Sequence, residues 1–172
     1  VVGQDRENQR VVASAAISVL EDANVPFSLI PGNHDVTDGY LGLWPTGREG
    51  LWTNYLSAFP AERLSQAPSY LETSPSGAGS YHQFEVAGVT MANVALADQS
   101  DFEWVDEIIK ENPTVPTIVT LHDILDISAD GSAITPNPGE VLWDEVISQN
   151  PNVFMTFSGH NHGATNQVRY IN

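Results

Sequence analysis

Cysteine is absent from the 172 residues, so disulfides and thiolate metal sites are both excluded. Any metal bound here must be held by nitrogen and oxygen. Lysine occurs once, at Lys110, and Lys plus Arg number 6 against 22 Asp plus Glu, a net charge of −16. A surface of that sign repels nucleic acid and anionic membrane, so neither is an expected partner. If the substrate is an anion, its attraction must be local and must come from something other than basic side chains. No run approaches the roughly 20 consecutive apolar residues needed to cross a bilayer. The opening "VVGQDRENQR" has no starting Met, basic leader or signal-type apolar stretch, and the closing "QVRYIN" reads as a strand with no turn after it. These ends predict that residues 1–172 are a single domain entered partway, incomplete at the N-terminus and at the C-terminus.

Apolar residues make up 41% of the chain and include four Trp and six Phe, enough for a proper core. Residues 6–23 place Val11, Val12, Ala15, Ala16, Val19, Leu20 and Ala23 on a helical stripe. "VPFSLI" (25–30), "PTIVTL" (116–121) and "VFMTF" (153–157) are short, continuous apolar strands. "SYHQFEV" (80–86) and "VTMANVAL" (89–96) flank Ala87-Gly88, the pattern of a hairpin. Helices are predicted at about 48–58, then at about 101–111 behind a Ser100/Glu103 capping box, and from Asn137 as cap to about 149. Residues 36–80 are otherwise loop-rich. Alternating helices and apolar strands with one hairpin imply an α/β layered architecture, mainly parallel with an antiparallel edge.

Ligands of such sheets collect beyond the carboxyl ends of the strands. After "FSLI" comes "PGNHD", after "TIVTL" comes "HDIL", and after "VFMTF" comes "SGHNH". These loops hold four of the five histidines, so His34, His122, His160 and His162 are expected on one rim. Imidazoles meeting near amide and carboxylate oxygens suit Zn²⁺, Fe or Mn²⁺. His160 and His162, one residue apart, are poorly placed to share one ion and could serve two. Two ions ~3.5–4 Å apart are the usual apparatus for displacement at phosphorus.

"GNHD" (32–35), a lone His122 at a strand end and "GHNH" (159–162), in that order, resemble the last three motif blocks of the calcineurin-like metallophosphoesterases. The resemblance implies a layered α-β-β-α sandwich of two mixed sheets, with the first strands missing. It implies hydrolysis of a small-molecule phosphate mono- or diester by metal-activated hydroxide at a dinuclear centre of two divalent or trivalent ions (Fe, Zn or Mn). By position, Asn33 would bind the second metal together with His122 and His160, and His162 would bind the first. His34 would face the substrate, steadying the transition state and protonating the leaving group, and Asp35 would orient His34. The family's D-x-H and G-D blocks, expected before GNHD, are absent. Asp5 stands in the order G-Q-D just before a helix and is not assigned the bridging role.

Other readings stand beside this one. A catalytically inactive fragment or pseudoenzyme that uses the scaffold for binding is the alternative, because half of the metal ligands are absent. A metallo-β-lactamase-like site is disfavoured, since Gly163 and Ala164 follow His162 where Asp and His would be needed. The tripeptide "HNH" is not a nuclease signature, whose residues are spread over a ββα unit. His82 lies in a strand without a motif and reads as structural or exposed. Trp44, Trp52, Trp104 and Trp143 read as packing, as does Tyr40, although Tyr40 and Trp44 could line a pocket. Asp123 reads as a partner of the site or a cap. Compartment and oligomeric state stay open, with some likeness to secreted bacterial members.

Overall fold

The structure, a computed structural model, describes residues 7–35 and 52–171. Asp5, Tyr40, Trp44 and the start of the helix expected at 48–58 lie outside the described residues. In chain order the elements are α1 (Glu7–Asp22), α2 (Thr53–Ala58), α3 (Ala61–Leu64), β1 (Tyr70–Thr73), β2 (Ser80–Val86) and β3 (Val89–Ala95), then α4 (Phe102–Glu111), β4 (Thr117–Thr120), β5 (Asp126–Ile127), β6 (Ala133–Ile134), α5 (Asn137–Glu145) and β7 (Val153–Phe157).

A mixed five-stranded sheet runs in the order β1-β2-β3-β4-β7, and β5-β6 forms a separate two-stranded ladder. The α/β class expected from the sequence is the one observed. β2 and β3 pair through Val86 and Val89, and the turn between them has positive φ at both Ala87 and Gly88 (52° and 81°), the twist that two-residue hairpins need. β3, β4 and β7 are parallel. Parallel neighbours require crossovers, and α4 and α5 supply them.

The two crossover helices cover one face of the sheet. There Val94, Val105, Val119, Leu121, Leu142 and Val146 are fully buried. Each aliphatic side chain so removed from water contributes about 1.5–3 kcal/mol. Phe102, Val105, Ile108 and Ile109 form the stripe of α4 that reaches this core. A second cluster joins Trp52, Tyr55, Phe59 and Leu64 to Ala13 and Ile17 of α1 and to Phe27 and Leu29.

Several local expectations are corrected. Ser100 does not cap α4: a 3₁₀ turn (Gln99–Asp101) precedes the helix and is capped by Asp98, whose carboxylate accepts from the Ser100 amide at 2.7 Å, while Asp101 holds the cap position of α4 itself without a side-chain bond. Pro136 occupies the cap position expected of Asn137, and α5 stops at Glu145, with a separate 3₁₀ turn at Ile147–Gln149. Residues 25–30 join no ladder among the described residues. Both neighbours of β3 and β4 are already taken, and this segment instead meets β3 through side chains, Asn93 Nδ2 donating to Ser28 Oγ at 2.8 Å. Residues 167–171 are not a strand either. Arg169 ties them to α5 through both Glu140 oxygens, 2.6 and 2.9 Å away, with its guanidinium over the Trp143 ring.

Candidate metal centre

β4 and β7 are parallel neighbours, so the loops after them leave the sheet side by side. Two backbone bonds join them there: Leu121 N donates to Phe157 O (3.2 Å) and Gly159 N to His122 O (3.0 Å). This brings the second and third histidine loops together. The first, Pro31 to Asp35, follows the segment held to β3 through Ser28 and ends in the 3₁₀ turn Asn33–Asp35.

His122 is the meeting point. Its Nε2 lies 3.1 Å from Asn33 Oδ1 and 3.2 Å from His160 Nδ1. The two imidazoles stand edge to face, with centroids 5.1 Å apart. Gly32 makes the approach of the first loop possible. A Cβ at this buried position would sit 2.9 Å from His122 Cε1, closer than real carbon atoms pack. The glycine is therefore required by the close approach of backbone to ring.

Burial pushes the His122 imidazole down to about 4, helped by the nearby charges of His160 and His34. At neutral pH the ring is uncharged, the form that can coordinate a metal. Asp35 is also half-buried, and its carboxyl is raised above the usual range chiefly by that burial. Its Oδ2 accepts from the Gly32 amide at 2.9 Å, closing the Gly32–Asp35 turn, and no hydrogen bond to His34 is formed among the described residues. His34 is exposed, at the mouth of the site.

Nitrogen ligands of Zn²⁺ lie at about 2.0–2.1 Å, so two donors of a single ion stand about 2.9–3.4 Å apart, depending on geometry. The two separations at His122 fall inside that range, and imidazole with an amide oxygen is a donor set that borderline metals accept. Asn33 Oδ1 and His160 Nδ1 each stand at such a separation from His122 Nε2. His162 is exposed in the same loop and shares no hydrogen bond with these three. Among the described residues no group of three or more His, Asp or Glu side chains is gathered as a metal site. Asp123, next to His122, is half-buried.

His82 lies away from this rim. It is buried on β2 between Ser69 Oγ (3.1 Å) and Ser80 Oγ (2.8 Å), which makes it a structural histidine. One residue of the site gave no sequence signal: Asn161, between His160 and His162, donates its side-chain amide to Leu125 O at 3.0 Å.

A family profile described as calcineurin-like phosphoesterase matches residues 5–164. Among curated proteins, the uncharacterized protein YvnB of Bacillus subtilis (strain 168) is 27% identical over 156 residues. That alignment covers 88% of this chain but 11% of YvnB, so the chain spans a small part of that relative's length. No solved structure matches.

Proposed function

This chain belongs to the calcineurin-like phosphoesterase family, and from that premise we propose that it carries part of a dinuclear centre for hydrolysis of small-molecule phosphate mono- or diesters. The observation that supports this most directly is the convergence of Asn33 Oδ1 and His160 Nδ1 on His122 Nε2. In this reading Asn33, His122 and His160 hold one ion of Zn, Fe or Mn, and His162 belongs to its neighbour. When bound, such ions supply Lewis acidity toward a phosphoryl oxygen. They also supply positive charge that this acidic chain otherwise lacks.

The chain's own groups do the rest. In this reading His34, which is exposed and follows Asn33, donates a proton to the departing ester oxygen. Asp35 holds the Gly32 turn and so fixes the backbone from which Asn33 and His34 project. The buried Gly32 brings that backbone against His122.

A second reading, a scaffold that binds without turnover, draws on His162 standing apart from the other three and on the absence of a larger donor group among the described residues. The two separate in an assay of 4-nitrophenyl phosphate and bis(4-nitrophenyl) phosphate with Mn²⁺ or Zn²⁺, using the parent, His34→Ala and His122→Ala. Hydrolysis that falls at least tenfold in each variant supports the enzyme. Metal uptake without turnover in the parent would favour the binding scaffold.

A further inference from the structure

His160 has a φ of +68°, in the left-handed region that favours glycine. The amide of Asn161 donates to Gly159 O at 2.9 Å, closing a three-residue turn around His160. A γ-turn with positive φ at a residue bearing a Cβ is strained. It persists only where the surroundings over-determine it. Two contacts do so, and both reach the loop of His122. On one side Gly159 N donates to His122 O, and on the other Asn161 Nδ2 donates to Leu125 O. The exposure pattern points the same way: Ser158, Gly159, His160, His162, Gly163 and Ala164 are all exposed, and Asn161 alone turns inward.

We propose that Asn161 is a positioning residue, whose side-chain hydrogen bond to the Leu125 carbonyl holds His160 in its strained turn with Nδ1 against Nε2 of His122. Its importance for function rests on the reading of His122 and His160 as ligands of one ion. Its mechanical part does not, because the turn and its two anchors are properties of the chain itself. Without the Leu125 bond the turn relaxes toward ordinary φ, which swings the imidazole of His160 away from His122. Outer partners that orient ligands change metal affinity by about 10–100-fold when removed.

The test compares the full chain with Asn161→Ala and with Asn161→Asp, which keeps the size and removes the N–H donor. Amide hydrogen exchange is followed at Gly159 in metal-free protein, and Zn²⁺ affinity is measured by titration calorimetry. The expected result is faster exchange at Gly159, by about tenfold or more, in both variants, with core amides of β4 and α4 unchanged. Zn²⁺ affinity of Asn161→Ala should fall by about tenfold or more. Exchange at Gly159 equal to the parent in both variants would overturn the proposal, as would acceleration by one common factor across the core, the mark of general destabilisation. Local loosening in both variants, with a parent that takes up no Zn²⁺, would uphold the holding role of Asn161 and defeat the metal reading instead.

Discussion

Asn33 and His122, 89 positions apart in the chain, meet with Oδ1 and Nε2 3.1 Å apart. This contact joins the loop that follows residues 25–30 to the end of the parallel strand β4. Everything proposed for the site depends on it, and it depends in turn on a single missing side chain.

Gly32→Ala tests that dependence. The added Cβ would meet the His122 ring at 2.9–3.1 Å, so either the imidazole or the first loop must move. Overpacking of this kind costs about 1–3 kcal/mol. The expected outcome is a lower urea midpoint together with Zn²⁺ affinity reduced by about tenfold or more. Parent-like values of both would show that the close approach is not needed.

His82 gives a pH dependence of stability. Burial lowers its imidazole from 6.5 to about 4, so in the folded chain it stays neutral where the unfolded chain already takes up a proton. Between those two values the unfolded state binds more protons, and acid therefore favours unfolding. The contribution is intact above about pH 6.5 and lost progressively down to about pH 4, roughly 3 kcal/mol in all. His82→Gln should remove this slope, and the difference between parent and variant isolates His82 from His122. An unchanged difference in urea midpoint from pH 7.5 to 4.5 would contradict the assignment.

Asp98 is a structural anchor. Its buried carboxylate accepts from Trp52 Nε1 (3.2 Å) and from the Ser100 amide (2.7 Å), joining α2 to the start of α4. Asp98→Ala removes the acceptor of the buried Trp52 indole N–H, at a cost of about 1–3 kcal/mol. A denaturation curve shifted by less than about 0.5 kcal/mol, the usual effect of a surface substitution, would show that Asp98 does not anchor the two helices.

Much of the frame was legible because strong local signals agreed with the fold. The apolar run "VFMTF" is β7 at both ends, and Ala87-Gly88 marks the hairpin. α1 was legible as a helix but not in its orientation. Val11, Val12 and Val19 of the expected stripe are exposed, while Ala13 and Ile17 pack inward. The inward face also carries Ser14 and Ser18, which accept from Arg63, itself paired with Glu21. A helix with Val and Ala on most sides has no single stripe for periodicity to find. Residues 25–30 have the composition of a strand, yet a strand also needs a partner edge, and composition does not reveal one. β1 was missed because "YLET" is short and only partly buried.

The site divides in the same way. His122 and His160 were readable because each follows an apolar strand, and parallel neighbours in a sheet deliver their loops to one end; Asn33 and His34 follow an apolar run that joins no ladder among the described residues and were readable from their motif alone. Asn161 was not, since a hydrogen bond to a distant carbonyl leaves no pattern in the chain. The need for Gly32 was visible only as a turn and not as space for an imidazole 90 residues away in sequence, Gly32 to His122.

The most direct measurement is a Zn²⁺ titration of the full chain and of His122→Ala at pH 7.5, followed calorimetrically. The account predicts saturable binding in the parent that weakens at least about tenfold in the variant, because removing His122 takes away the group on which Asn33 and His160 converge. Equal binding in the two proteins, or none in the parent, would contradict it.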